Sequence, residues 1–160
     1  MYTPAITGTG VFTPENTISN DELVKSFNAY ADKFNLEYAD QIESGDVAPQ
    51  SHSSEEFIVK ASGIHSRYVI DKDGILDPDV MHPLMRQRED DEPSLMAEMA
   101  LDAALKALKT AGKTPADVDA VICAASNLER AYPAVAIEIQ ELLGIKGFAF
   151  DMNVACSSAT

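Results

Sequence analysis

The 160-residue chain has no tryptophan, two cysteines, three histidines and 12 basic residues against 26 acidic ones, a formal net charge of −14. Each shortage excludes something. Cys123 and Cys156 are too few and too far apart for a zinc cluster or a disulfide framework, so both are expected to be free thiols. A strongly acidic chain repels phosphate backbones instead of displacing their counterions, which argues against a nucleic-acid partner. No apolar run approaches the roughly 20 residues that span a bilayer, and Met1-Tyr2-Thr3-Pro4 lacks the basic and apolar segments of a secretory leader. These absences predict a soluble, cytoplasmic protein with no membrane insertion.

What is present suffices for a packed core. With 46% hydrophobic and 24% charged residues, the chain carries enough apolar area to offset its conformational entropy. Its length suits one ordinary domain or one half of a larger two-part enzyme.

The opening Ala5–Phe12, β-prone and punctuated by Gly8 and Gly10, predicts a first strand. Ser19 precedes Glu22 by three residues, the spacing of a capping box, and Leu23, Phe27, Tyr30 and Phe34 then recur at helical intervals. Residues 35–54 read as a polar loop or a ragged helical continuation. Glu55 to Ala61 predicts a short helix stopped by Gly63, and Ser66 to Ile70 a strand leading to a turn at Asp73-Gly74. Residues 72–93, with Pro78, Pro83 and Pro93 and a charge run, read as a second insertion-like excursion. Ser94 to Ala111 is the clearest helix, closed by Gly112 and apolar around most of its circumference, so it is expected to pack between layers. Continuous apolar runs at 120–125 and 147–152, with a helix over Val135–Leu143 between them, predict strands covered on both faces and an α/β layered fold with a largely parallel sheet.

The last residues bear on chemistry. A strand ending near Asp151, a turn, and then Ala155-Cys156-Ser157-Ser158 place a thiol among small side chains, in what would be the first turn of a helix. There the free N–H groups and the helix dipole favour a thiolate, and a carbonyl oxygen could meet the cysteine's own N–H. The alternative from position alone is a small buried cysteine closing a strand-to-helix joint. Cys123, inside an apolar strand, is expected to be inert. Asp71, Asp73, Asp77 and Asp79 lack the glycine and the final acid of a calcium loop and read as a solvated turn.

Four stretches together resemble one family. They are Ile6-Thr7-Gly8-Thr9-Gly10, the segment Phe57 to Arg67, Ala131-Tyr132-Pro133-Ala134, and Phe150-Asp151-Met152-Asn153-Val154-Ala155-Cys156-Ser157-Ser158. In this order and spacing, apart from two longer loops, they resemble the N-terminal half of a β-ketoacyl-acyl-carrier-protein synthase III, of the thiolase superfamily. The resemblance covers essentially the whole chain, residues 1–160. It implies a mixed, mainly parallel five-stranded sheet with helices on both faces, one of them beginning after Cys156, and a homodimer of two-part subunits.

The resemblance also implies a chemistry. Cys156 would accept an acyl group from an acyl-coenzyme A and pass it to the carbanion left when malonyl on acyl carrier protein loses carbon dioxide, a Claisen condensation in fatty-acid or related synthesis. Coenzyme A thioesters and phosphopantetheine-linked acyl groups are then substrates, and no separate cofactor or metal is implied. Phe57 and Ser62 would contact coenzyme A, although Ala61 stands where relatives carry arginine. Tyr132 would close the partner subunit's acyl tunnel, and Arg67 reads as a buried ion-pair partner. The family's His and Asn come from its second half, and His52, His65 and His82 match neither. The two long loops suggest a primer longer than acetyl, of medium chain length. Two other readings stand beside this one: condensation on a coenzyme A-bound acceptor, as in hydroxymethylglutaryl-coenzyme A synthase, and a non-catalytic subunit that binds an active partner.

Overall fold

A computed structural model describes residues 3–158. The chain divides into two compact units: a contiguous one, residues 13–86, and a discontinuous one in which residues up to 12 join those from 87 onward.

In the contiguous unit, β1 (Asn16–Ser19) pairs antiparallel with β2 (Ser66–Val69). Helix α1 (Asn20–Glu37) starts where the sequence predicts. The Glu22 N–H donates to the Ser19 hydroxyl (3.2 Å) and the Ser19 N–H to the Glu22 carboxylate (2.9 Å), so two N–H groups that a helix start leaves free are satisfied reciprocally. Ile18, just before the cap, and Ala31, within α1, are buried. Asn20, also buried, donates to the Ile64 carbonyl (2.7 Å) and accepts from the Arg67 guanidinium (2.6 Å). Arg67 therefore bonds a neutral amide and the Ser19 carbonyl in place of the expected ion-pair partner.

Residues 35–54 are more ordered than their composition suggests. A short helix α2 (Ala39–Ser44) ends at Gly45, whose φ of 83° suits only glycine without strain. The return stretch is held by a polar stripe of α1. Asn35 exchanges two hydrogen bonds with the Gln50 backbone (2.9 and 2.8 Å), Asp32 meets the His52 ring (2.7 Å), and Asn28 exchanges two with Ser53 (3.2 and 2.8 Å). Helix α3 (Glu55–Ser62) follows, capped by Ser54 and ended by Gly63. The turn expected at Asp73-Gly74 is instead a one-turn helix, α4 (Asp73–Leu76). The Asp71 carboxylate accepts the N–H groups of Asp73, Gly74 and Leu84, which winds the chain and closes the loop on itself. Those hydrogen bonds engage Asp71, and Lys33 pairs with Asp79 (2.8 Å); among the described residues these acids form no group that could hold a metal ion.

In the discontinuous unit, α5 (Leu95–Ala111) and α6 (Val135–Leu143) pack together, and α6 also lies on the parallel pair β3 (Ala120–Ala124) and β4 (Phe148–Met152). Ala97, Val135 and Ile139 form the buried centre, with Met96, Ala100, Val121, Cys123, Leu128 and Leu143 around it. Both helices end at left-handed glycines, Gly112 and Gly144, as predicted.

The α/β class holds, but the single five-stranded sheet is not formed: among the described residues the strands make one antiparallel and one parallel pair. Residues 5–12, predicted as a strand, take no place in a ladder. They run against α5, where a Cβ on Gly10 would strike the Ala103 carbonyl and one on Gly8 the Ala107 carbonyl. A mostly apolar cavity of about 530 Å³ is lined by Thr7 and Gly8 together with the β3 residues Val121 and Ile122. α5 is likewise not enclosed between layers, since Leu105 is half exposed. β3 and β4 leave one face open, with Ile122, Phe148, Phe150 and Met152 all exposed and the two phenylalanine rings stacked at 6.2 Å. No helix among the described residues is long and apolar enough to cross a membrane.

Candidate active site

Cys156 lies on a tight turn that leaves the C-terminal end of β4. The turn is closed by N–H groups of Ser157 and Ser158 donating to the carbonyls of Val154 (3.1 Å) and Ala155 (3.2 Å). Ala155, immediately before the cysteine, has a φ of 50°. For a residue with a Cβ this left-handed conformation costs on the order of 1–2 kcal/mol, so the surrounding bonds must hold it. Asn153 contributes twice: its Oδ1 accepts the Ala155 N–H (3.2 Å) and its Nδ2 donates to the Ser126 carbonyl (3.3 Å), tying the turn to the segment after β3. The result is an exposed thiol in a small recess of about 370 Å³ lined by Ala124, Ala125, Ser126, Asn127, Ala155 and Ser158. The buried-cysteine alternative is thereby removed. Whether a helix begins after Cys156, as expected, concerns residues beyond Ser158 and lies outside the described residues.

One strand back, Asp151 fixes the approach to the turn. Its two carboxylate oxygens accept the N–H groups of Val135 (2.9 Å) and Ala136 (2.8 Å), where the first turn of α6 has free donors and positive potential. In the ladder Asp151 faces Cys123. Burial, and then the Asp151 charge, push the Cys123 thiol above its ordinary range, so the two cysteines differ: one half-buried and protonated, the other presented to solvent.

The other residues singled out from the sequence are distributed between the units. Tyr132 belongs with Cys156 to the discontinuous unit; it is 90% exposed, precedes a cis proline, Pro133, and does not line the cysteine recess. Phe57 and Ser62 belong to α3 of the contiguous unit. Phe57 is exposed beside Phe27 and His52, whereas the Ser62 hydroxyl is used locally, donating to the Ile58 carbonyl (2.7 Å) and accepting from the Ile64 N–H (3.1 Å). The unit that carries Cys156 contains no histidine, because His52, His65 and His82 all fall within residues 13–86. Asn153, Ser158 and Asp151 escaped the sequence reading. An Asn two residues before a strained position is an Asx-turn signal that could have found the first; the other two are evident only from the fold.

No protein-family model matches the chain. Individual proteins do. It is 52% identical over 137 residues to a β-ketodecanoyl-acyl-carrier-protein synthase of Pseudomonas aeruginosa, covering 86% of this chain and 39% of that protein. It is 32% identical over 158 residues to a β-ketoacyl-acyl-carrier-protein synthase III of Granulibacter bethesdensis, covering 98% of this chain and 35% of that one. Among solved structures, the 3-oxoacyl-acyl-carrier-protein synthase III of Aquifex aeolicus matches with a TM-score of 0.61 and 25% identity, over 96% of this chain and 35% of the other. By sequence and by its thiolase-like fold, the chain belongs to the β-ketoacyl-acyl-carrier-protein synthase III family, spanning a little over a third of the length of the relatives it matches.

Proposed function

We propose that this chain is the nucleophile-bearing, N-terminal half of a decarboxylative condensing acyltransferase. The observation that carries the reading is the exposed Cys156 thiol, held on a strained turn at the C-terminal end of a parallel strand in a chain of this family. The thiolate attacks the carbonyl carbon of an acyl-coenzyme A; a carbon–sulfur bond to Cys156 forms, the bond to coenzyme A breaks, and coenzyme A leaves as the thiol after taking a proton. Loss of carbon dioxide from malonyl on acyl carrier protein then gives a carbanion that attacks the Cys156 thioester and expels the thiolate. The Cys156 N–H is the donor we assign to the oxyanion. A His and an Asn for the decarboxylation would come from the second half of the enzyme, as the family resemblance implies, and Tyr132 would reach the partner subunit of a homodimer. Phe57 is the coenzyme A contact we favour on α3; Ser62, with its hydroxyl already engaged twice, is the weaker one.

The primer we propose is of medium length. The 52% identical relative is named for a β-ketodecanoyl product. Since a condensation adds two carbons, a ten-carbon product corresponds to an eight-carbon primer. Intact mass and peptide mapping after incubation with octanoyl- or acetyl-coenzyme A test both points. An octanoyl adduct on Cys156 in excess over acetyl supports them. An acetyl preference overturns the primer, and an adduct confined to another residue overturns the nucleophile.

A further inference from the structure

We propose that Ser158 is a positioning residue for Cys156, a role that rests on Cys156 being the acyl acceptor. The two side chains stand in opposite environments two residues apart: Cys156 is exposed and Ser158 is 6% exposed. Being buried, the Ser158 hydroxyl exchanges its hydrogen bonds with the backbone on the other side of the cysteine. It accepts the Val154 N–H (2.9 Å) and donates to the Ala155 carbonyl (2.7 Å). These two groups flank the φ of 50° at Ala155, the conformation that aims the next residue outward.

Only a group that donates and accepts at one atom serves both. A methyl group leaves the Val154 N–H without this partner and the Ala155 carbonyl with the Ser158 N–H alone (3.2 Å). The turn then loses the bond that opposes relaxation of Ala155 to an ordinary backbone conformation. The hydroxyl does not need to touch substrate; it sets where the sulfur points, and a displaced nucleophile misses the line of attack on a bound carbonyl. Threonine keeps the hydroxyl and is the conservative replacement.

The test compares the wild-type chain with Ser158→Ala and Ser158→Thr, each checked for an unchanged circular-dichroism spectrum and thermal midpoint. Three readouts are taken: amide exchange at Val154, the rate and pH profile of iodoacetamide alkylation at Cys156, and acyl transfer from octanoyl-coenzyme A to Cys156. For Ser158→Ala we expect Val154 exchange at least ten-fold faster and acyl transfer at least ten-fold slower. Alkylation at high pH, by a small reagent with no bound geometry, should stay within about three-fold, and Ser158→Thr should resemble the wild type in every readout. A wild-type rate of Val154 exchange or of acyl transfer in Ser158→Ala overturns the proposal. If the wild-type chain itself takes no acyl group at Cys156 while alkylation proceeds there, the acyl-acceptor reading fails. Positioning is then decided by Val154 exchange together with a shifted alkylation pH profile, and the absence of either change overturns it.

Discussion

Glu138 takes both hydrogens that Ser94 can offer: the Ser94 N–H donates to its Oε1 at 3.0 Å and the hydroxyl to its Oε2 at 2.6 Å. Both residues are buried, and the same Ser94 oxygen accepts the Ala97 N–H (3.2 Å) to cap α5. Arg130 approaches the carboxylate at 3.5 Å from the segment that carries Tyr132. One side chain on α6 thus fixes the start of α5 and tethers the tyrosine segment.

Removing that carboxylate should be costly. Glu138→Ala leaves the buried Ser94 N–H and hydroxyl without their acceptor and takes the carboxylate from Arg130, which keeps the Glu92 carbonyl (3.4 Å), and a loss of about 1–3 kcal/mol is expected. Urea denaturation measures it, and a variant as stable as the parent would show that other groups hold α5.

The polar stripe on α1 should act locally. With Asn28→Ala and Asn35→Ala together, the Ser53 and Gln50 amides lose their acceptors, and their hydrogen exchange should accelerate by ten-fold or more. Exchange at Glu22, in the capping box, should not change. Slow exchange persisting at 50–53 would mean that the stripe is incidental.

Gly10 has no room for a side chain. A Cβ there meets the Ala103 carbonyl and lies 2.6 Å from the Ala107 nitrogen, both backbone atoms that cannot rotate away. Gly10→Ala should therefore lower stability by roughly 1–3 kcal/mol through forced backbone shifts, as thermal or urea unfolding would register. Gly45→Ala, where the space is open, isolates the separate cost of a positive φ.

Acid should weaken the contiguous unit through Glu22. The Lys72 ammonium (2.6 Å), and after it the Ser19 N–H and hydroxyl, hold the Glu22 carboxyl at about 2 against an ordinary 4.5. The folded pKa is depressed, so the unfolded chain binds the proton more readily. The stabilisation is present above about pH 4.5 and is lost as pH falls through about 2. Unfolding measured across that window should have a shallower pH slope in Glu22→Gln than in the parent; identical slopes would refute the assignment.

The two thiols should separate cleanly. Iodoacetamide at neutral pH should label Cys156 at least ten-fold faster than Cys123, whose thiol is half-buried and shifted upward. Peptide mapping gives the ratio, and equal labelling would contradict the exposure of the turn.

Local signals carried most of the elements. The capping box at Ser19 and glycine stops at Gly63, Gly112 and Gly144 act within a few residues, so periodicity and punctuation locate those helices directly. Pairing is different. Ala5–Phe12 has strand composition, but whether it joins a ladder depends on what lies beside it, and here its glycines serve close contact with α5. The stretch at 16–19, polar enough to read as loop, becomes a strand because Ser66–Val69 offers it a partner. At the site, the cysteine among small residues was legible, whereas Asp151 and Ser158 act on backbone groups that only the folded chain brings near.

The contact between residues 7–11 and α5 also has a consequence in time. The Lys106 ammonium donates to the Val11 carbonyl, 95 positions earlier (3.1 Å). At ribosomal speeds of roughly 5–20 residues per second, the first segment waits about 5–20 s for its helix to be made. During that interval all of residues 13–86 emerge as one uninterrupted stretch and can fold first. Residues 7–11 have no α5 backbone to lie against until then, so the contiguous unit can be complete before the discontinuous one closes.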